Sequence, residues 1–317
     1  MRIVLSAALV AAFAMPAGPA FAQAKEEPRC KLQKAAEWRV REVAGLPLVN
    51  IEINGRKVDA IIDTGAPNTM VSRTLAIQAA LSQTGSGRDA AAIIEEAKIG
   101  GMTRKDWRVL LADRDLGPDV ALVIGNDFLE GTAFEFDLPN KSIRIFVLKE
   151  CDDAFIGYWP SENLRHVSLE AGTNAGIRVA MGEQSFDAVI DSAAQTSVIN
   201  TGRAERLGVT SKSPGVTPGG CVTGLGKQPV DSFIGPFKRF DIGPQTVLNP
   251  RIHFADLGAP AQAQRGPRSF AAVPEMIIGL DFLQTHRVMI AGSQRRVYFS
   301  HEGGTVFPAA VATACKK

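Results

Sequence analysis

The sequence predicts an all-β fold made of two similar halves related by a pseudo-twofold axis. Three observations point there. Val58–Val71 (VDAIIDTGAPNTMV) and Phe186–Ile199 (FDAVIDSAAQTSVI) share one plan: an apolar run ending in an aspartate, then small residues, then a second apolar run. Each is followed at a distance by a second shared phrase, VIGNDFL from Val123 and IIGLDFL from Ile277. Between these phrases lie short alternating segments bounded by Gly, Pro and Asn, the mark of strands and tight turns rather than long helices.

The elements follow in order. Leu48–Ile53 (LVNIEI) alternates apolar and polar residues, and Asn54-Gly55 marks a tight hairpin turn. Lys57–Ile62 is the returning strand and delivers Asp63 at its end. In the second unit Gly176–Met181 is the outgoing strand, Gly182 begins the turn, and Ser185–Ile190 delivers Asp191. Short helices are expected at Arg73–Leu81 and Thr201–Leu207, and after each Gly-x-Asp-Phe-Leu phrase. Further strands are Trp107–Ala112, Ala133–Asp137 and Ser142–Val147, matched by Arg251–Phe254, Arg287–Ala291 and Arg296–Ser300. The second unit is the longer one between its two phrases, with the extra residues in Gly215–Gly226 and in the loop-like stretch Gly258–Pro274. The expected organisation is residues 1–22 as a signal peptide, 23–45 as an N-terminal arm, 46–151 as the first unit, 152–165 as a connector and 166–317 as the second unit.

Composition narrows the classes. The 317 residues are 45% hydrophobic and 21% charged, with a formal net charge of +2. That is globular and gives no reason to expect nucleic acid or an acidic membrane surface as partner. Arg2, the apolar run Ile3–Met15 and Ala20-Phe21-Ala22 form the n-region, h-region and cleavage site of a secretory signal peptide. The run is short for a membrane span, which needs about 20 residues, and no later stretch spans. The mature chain is expected to be exported, periplasmic or secreted. The cysteines Cys30, Cys151, Cys221 and Cys315 fit disulfides in such a compartment. Four cysteines allow three pairings. Cys30 and Cys151 bracket the first unit and are the expected pair, which leaves Cys221 with Cys315.

Two units that pack around a twofold bring Asp63 and Asp191 together. Like charges that close do not both ionise cheaply, so the pair shares a proton. One member then hydrogen-bonds a carbonyl while the other takes a proton from water. Asp63-Thr64-Gly65-Ala66, between Ala60-Ile61-Ile62 and Thr69-Met70-Val71, resembles the signature of retropepsin-like aspartic proteases, and Val123-Ile124-Gly125 resembles that family's downstream phrase. Asp191-Ser192-Ala193-Ala194 with Ile277-Ile278-Gly279 is a second, less orthodox copy. The chain thus resembles a fused, exported bacterial member covering roughly Leu46–Val147 and Ile177–Phe299. The resemblance implies two retropepsin-like β-barrel domains in a pepsin-like arrangement, a monomer with an internal pseudo-dimer, and a polypeptide substrate. It implies Asp63 and Asp191 as catalytic residues. Thr64 and Ser192 would make cross-domain hydroxyl-to-backbone bonds, and Gly65 and Ala193 would offer N–H groups to the carboxylates. A flap would cover the peptide in each half, with tips at Gly85-Ser86-Gly87 and Gly224-Leu225-Gly226. Ala193 is the departure: a methyl stands where the signature has hydrogen. It motivates an alternative reading, a weak or inactive peptide-binding protein with the protease fold.

Other candidates have plainer readings. Asp127 and Asp281 are expected to cap or buttress short helices, and Phe128-Leu129 and Phe282-Leu283 to be core. His166, His253, His286 and His301 lack metal-ligand spacing, so no metal and no cofactor is expected. No Gly-x-Ser-x-Gly elbow occurs, and Thr84-Gly85-Ser86-Gly87 lacks the ending of a phosphate loop.

Overall fold

In the computed structural model the hairpin predicted at Asn54-Gly55 is present. Strands Leu46–Ile53 and Arg56–Ile62 pair antiparallel. Both turn residues have positive φ, 48° and 77°, as a two-residue turn matched to the strand twist requires. The second unit repeats this with Gly176–Met181 and Gln184–Ile190. The structure describes residues 30–308 except 114, 118, 130, 224–228 and 259–273. Cys315, the flap tip Gly224-Leu225-Gly226, the signal peptide and most of the Gly258–Pro274 stretch therefore lie outside the described residues.

Among the described residues the strands form three sheets, of six, eight and nine strands. The eight-stranded sheet holds the first Asp-bearing loop and the nine-stranded sheet holds the second. In each, the strand that delivers the aspartate runs parallel to the later Ile-Gly strand, with Ile62 opposite Ile124 and Ile190 opposite Ile278. The chain after the aspartate returns on the other side of that same strand, as Met70–Val71 and Val198–Asn200. The Ile-Gly strand is thus clasped between the two limbs of the loop. Crowding there explains the glycines: a Cβ on Gly125 would stand 2.5 Å from the Asn68 backbone, and one on Gly279 2.6 Å from the Ala194 carbonyl oxygen.

The six-stranded sheet joins the halves. Its order is Lys31–Arg39, Ser142–Lys149, Thr132–Asp137, His286–Ala291, Arg296–His301, Arg165–Ser168. Three strands come from each half, and the seam is the antiparallel pair Thr132–Asp137 with His286–Ala291. The described part of the N-terminal arm takes part, with Lys31–Arg39 paired along Ser142–Lys149. Trp107 lies instead in the strand Met102–Leu111 of the eight-stranded sheet. Arg165, at the end of the connector, pairs with Phe299. The helices are shorter than expected, Arg73–Gln78 and Thr201–Arg206, and two single turns, Asn126–Leu129 and Leu280–Leu283, lie within the Gly-x-Asp-Phe-Leu phrases rather than after them.

Apolar packing fills the spaces between sheets. Phe134, Phe136, Phe186, Phe240, Phe254 and Phe282 are fully buried, each burial stabilising by about 1.5–3 kcal/mol. Phe282 is core as expected, but Phe128 is only partly buried and packs against Trp107. Cys30 and Cys151 are joined by a disulfide that closes the first unit. Cys221 is also disulfide-bonded.

A charged cluster crosses the seam. Glu135 of the first unit is fully buried and meets Arg144 of its own unit and, at 3.0 Å, Arg287 of the second. Arg144 also reaches Asp137 at 3.2 Å and Glu37 at 2.7 Å. The Arg287 guanidinium lies over Trp159, 4.6 Å from its ring centre. A buried carboxylate is tolerated only with such partners, and removing one side of a buried pair leaves the other desolvated and unpaired. Glu135→Leu is therefore expected to destabilise the chain by about 3 kcal/mol, read as a lower denaturation midpoint; a midpoint equal to wild type would show that the cluster does not hold the seam.

Candidate active site

Each aspartate sits one residue past its strand, where the ladder still fixes the backbone. Asp63 N–H donates to Ile124 O at 2.9 Å, and Asp191 N–H to Ile278 O at 2.9 Å. Each carboxylate then folds over its own loop. Asp63 Oδ1 accepts from the amides of Gly65 (2.8 Å) and Ala66 (3.0 Å). Asp191 Oδ1 accepts from Ala193 (2.9 Å) and Ala194 (3.0 Å).

The two loops interlock through their hydroxyls. Thr64 Oγ1 donates to Ile190 O at 2.6 Å and accepts from Ser192 N–H at 3.1 Å. Ser192 Oγ donates to Ile62 O at 2.6 Å and accepts from Thr64 N–H at 3.1 Å. The four bonds form two equivalent pairs about the pseudo-twofold, and both side chains are buried. The amides of Thr64 and Ser192 and the carbonyls of Ile62 and Ile190 are thereby satisfied by the opposite half.

This interlock sets the Asp191 carboxyl against the loop of the first unit. A Cβ built on Gly65 would come 2.6 Å from both Cγ and Oδ2 of Asp191. Only hydrogen fits there, so Gly65 is required for space; its φ is not in the left-handed region. Ala193, at the matching place, also lacks a positive φ. Its methyl packs against the apolar cluster of Leu48, Ile61, Ala66, Val120 and Val123 in the first unit. The substitution therefore carries no left-handed strain. Desolvation holds the Asp191 carboxyl above the usual carboxylate range, against the opposing pull of its two amides.

Asp127 and Asp281 stay out of this centre and buttress it. Asp127 Oδ1 accepts from both the amide and the hydroxyl of Thr69 at 2.7 Å, and Thr69 Oγ1 accepts from Gly125 N–H at 3.1 Å. Asp281 does the same for Ser197 at 2.9 and 2.5 Å, with Gly279 N–H on Ser197 Oγ at 2.9 Å. Each carboxylate thus pins the returning limb of a loop to the Ile-Gly strand. Thr69 and Ser197 were not singled out in the sequence, yet each stands six positions after its aspartate, a repeated hydroxyl at fixed spacing. Asn126, whose Nδ2 donates to Thr64 O at 2.9 Å, and Gln195, whose amide reaches Ala44 O at 2.5 Å in the other unit, have no such repeat to announce them.

The flap candidates differ between halves. Gly85-Ser86-Gly87 follows the three-residue strand Ser82–Thr84, which pairs with Ala91–Ile99. Gly85 and Gly87 have φ of 72° and 60°, and a Cβ on Gly85 would meet Asp89 O at 2.6 Å, so the turn needs glycine there. The first-half arms are thus unequal, three and nine residues, whereas in the second half Thr217–Thr223 and Pro229–Pro236 are nearly equal, seven and eight residues. Of the histidines, His286 is buried at full depth, stacked on Phe282 with ring centres 3.8 Å apart. Among the described residues no cluster of His, Cys, Asp and Glu could hold a metal ion.

Two family models match the chain. Residues 49–131 match the gag-polyprotein putative aspartyl protease model, and residues 177–282 match the aspartyl protease model. Each match encloses one aspartate loop and its Ile-Gly phrase. No curated protein matches the chain.

Two outcomes follow from the geometry. Thr64→Val keeps the shape but leaves Ile190 O and Ser192 N–H buried and unpaired, an expected loss of about 3 kcal/mol in unfolding free energy; Thr64→Ser, which loses only a methyl, is expected to cost about 1 kcal/mol. Equal losses would contradict the interlock. Burial pushes Asp281 up to about 6. A raised carboxyl pKa favours the fold while the group is protonated, so this contribution is complete below about pH 4 and is lost as pH rises through 6. His286, pushed down to about 4 by burial, has the opposite sign: its contribution is present above about pH 6.5 and is lost as pH falls through 4. Denaturation midpoints of Asp281→Asn are therefore expected to fall on acidification from pH 7 to 4 relative to wild type, by about 2–3 kcal/mol; parallel profiles would contradict the buried, protonated Asp281.

Proposed function

We propose that this chain, which belongs to the retropepsin-like aspartic proteases and carries their domain twice in tandem, is an endopeptidase whose Asp63 and Asp191 act as one catalytic pair. The observation that carries the reading is the approach of the Asp191 carboxyl to Gly65, within a loop locked to its partner by four reciprocal hydrogen bonds. Two carboxyls that share such a junction would compete for one proton, which is the reading this approach supports.

The reaction uses this chain's residues as follows. The ionised member of the pair removes a proton from a water held between the carboxyls. The water oxygen attacks the carbonyl carbon of the peptide bond, while the protonated member donates to the carbonyl oxygen, giving a tetrahedral diol. Return of a proton to the amide nitrogen breaks the carbon–nitrogen bond and releases acid and amine. Desolvation of the Asp191 carboxyl favours a proton on the pair. The loop amides of Gly65, Ala66, Ala193 and Ala194 hold one oxygen of each carboxyl in place. Thr64 and Ser192 keep the carboxyls in register. The hairpins that carry Gly85-Ser86-Gly87 and Gly224-Leu225-Gly226 are the flaps over an extended peptide, and their unequal arms make the cleft asymmetric.

The ordinary backbone at Ala193 and its packing on the first unit favour catalysis over the binder reading, because the methyl neither strains the loop nor displaces a carboxylate. The Cys30–Cys151 disulfide supports an exported protein with Met1–Ala22 as signal peptide, and no helix among the described residues is long and apolar enough to cross a membrane. With one complete pair per chain, the working unit is a monomer.

Asp63→Asn and Asp191→Asn, made separately, are each expected to lower peptidase kcat by about 10²-fold or more, with folding retained. The pH profile of kcat/KM is expected to be bell-shaped, since the pair is inactive with no proton and with two. Full activity in either variant would overturn the shared pair. A well-folded wild-type chain that binds peptides and cleaves none of a broad library, from acidic to neutral pH, would favour the binder.

A further inference from the structure

A cavity lies between the two units, lined by residues of both and reaching Thr64 of the interlock. It has a volume of about 390 Å³, within the range of small-molecule sites. Its floor is apolar and buried, made of Leu129, Phe134 and Ile290, the last two from the central strands of the shared sheet. One wall is Asn126 beside Thr64. Asn126 is nine-tenths buried and spends its Nδ2 on Thr64 O, so its Oδ1 remains an acceptor in that wall. Asn174 and Arg295 of the second unit stand at the exposed rim. Arg295 uses one nitrogen on the carbonyls of Leu169 and Glu170, which holds the side chain in place. It is the one charged side chain among the described lining residues.

The cavity belongs to this sequence rather than to the doubled fold. Counting from the Gly-x-Asp-Phe-Leu phrases, Thr132 in the first unit corresponds to His286 in the second. His286 fills its place, stacked on Phe282 and hydrogen-bonded to Gln245. Thr132 is smaller, turns its hydroxyl to Leu129 O at 2.8 Å, and lines open space.

We propose that this cavity binds a small amphipathic carboxylate, with its apolar body on Leu129, Phe134 and Ile290 and its carboxylate on Arg295 and Asn174. An apolar floor selects the body, and a fixed guanidinium with no acid among the described lining residues selects the charge. Residues of both units form the walls, so an occupant braces the seam and raises thermal stability by binding only the folded state. The site does not depend on the assignment of the catalytic pair.

The test is calorimetric titration of the full-length chain with N-acetyl-L-leucine, and with N-acetyl-L-leucinamide as the uncharged match. The acid is expected to bind, to raise the melting temperature, and to bind more tightly than the amide by about tenfold or more. Arg295→Gln and Asn174→Asp, both at exposed positions, are each expected to weaken the acid by about tenfold while leaving the amide unchanged. Absence of binding to wild type, equal binding of acid and amide, or acid binding indifferent to both substitutions would each overturn the proposal. The last outcome would place the acid elsewhere, as a product in the proposed catalytic cleft.

Discussion

The reciprocal exchange between Thr64 and Ser192 is the constraint from which the rest follows. Each hydroxyl donates to a carbonyl of the opposite unit and accepts that unit's amide. Net, such bonds are worth about 1 kcal/mol apiece, but leaving them unmade in a buried junction costs more. The geometry is therefore all-or-none. It requires both loops to present a β-hydroxyl residue directly after the aspartate, both Ile-Gly strands to be clasped, and both units to be folded and docked. The shared six-stranded sheet and the Glu135–Arg287 contact add to the docking around that junction.

Much of this was legible in the sequence, and the reason is repetition. An aspartate ending an apolar strand is a weak signal once; twice, with the same downstream phrase, it fixes which segments are equivalent and which residues meet. The hairpin at Asn54-Gly55 and both aspartate-bearing strands were readable because alternation and turn chemistry are local. The Cys30–Cys151 pair followed from the way those cysteines bracket a unit. What escaped was nonlocal. The assignment of Ala133–Asp137 to the shared sheet depends on Ala133 lying opposite Ala291 and Asp137 opposite Arg287, and nothing in the local pattern names those partners. Lys31–Arg39 has the alternation of an edge strand but no motif, so it read as an arm. Asp127 and Asp281 were recognised as structural, but their partners Thr69 and Ser197 lie far back along the chain, and the local helix offered a nearer role.

The halves are equal in topology and unequal in chemistry. Gly65 gives way to the opposite carboxyl, whereas Ala193 places a methyl on the opposite apolar cluster. One hairpin has a three-residue arm and the other arms of seven and eight. The second unit fills with His286 a position that the first leaves open beside Thr132. A fused chain can diverge in this way because a change in one unit is not imposed on the other, as it would be in a homodimer. The interlock is what has stayed symmetric, since it has no tolerance for divergence.

The central claim is that two carboxyls from two units behave as one titrating group. Carboxyl-carbon NMR of the aspartates, followed through a pH titration of the folded chain, tests it most directly. The account predicts that Asp63 and Asp191 titrate together in two separated steps, the upper one above the usual carboxylate range, and that Asp63→Asn collapses them to a single step at Asp191. Two independent titrations near the ordinary aspartate value of about 3.9, with Asp191 unaffected by Asp63→Asn, would contradict it.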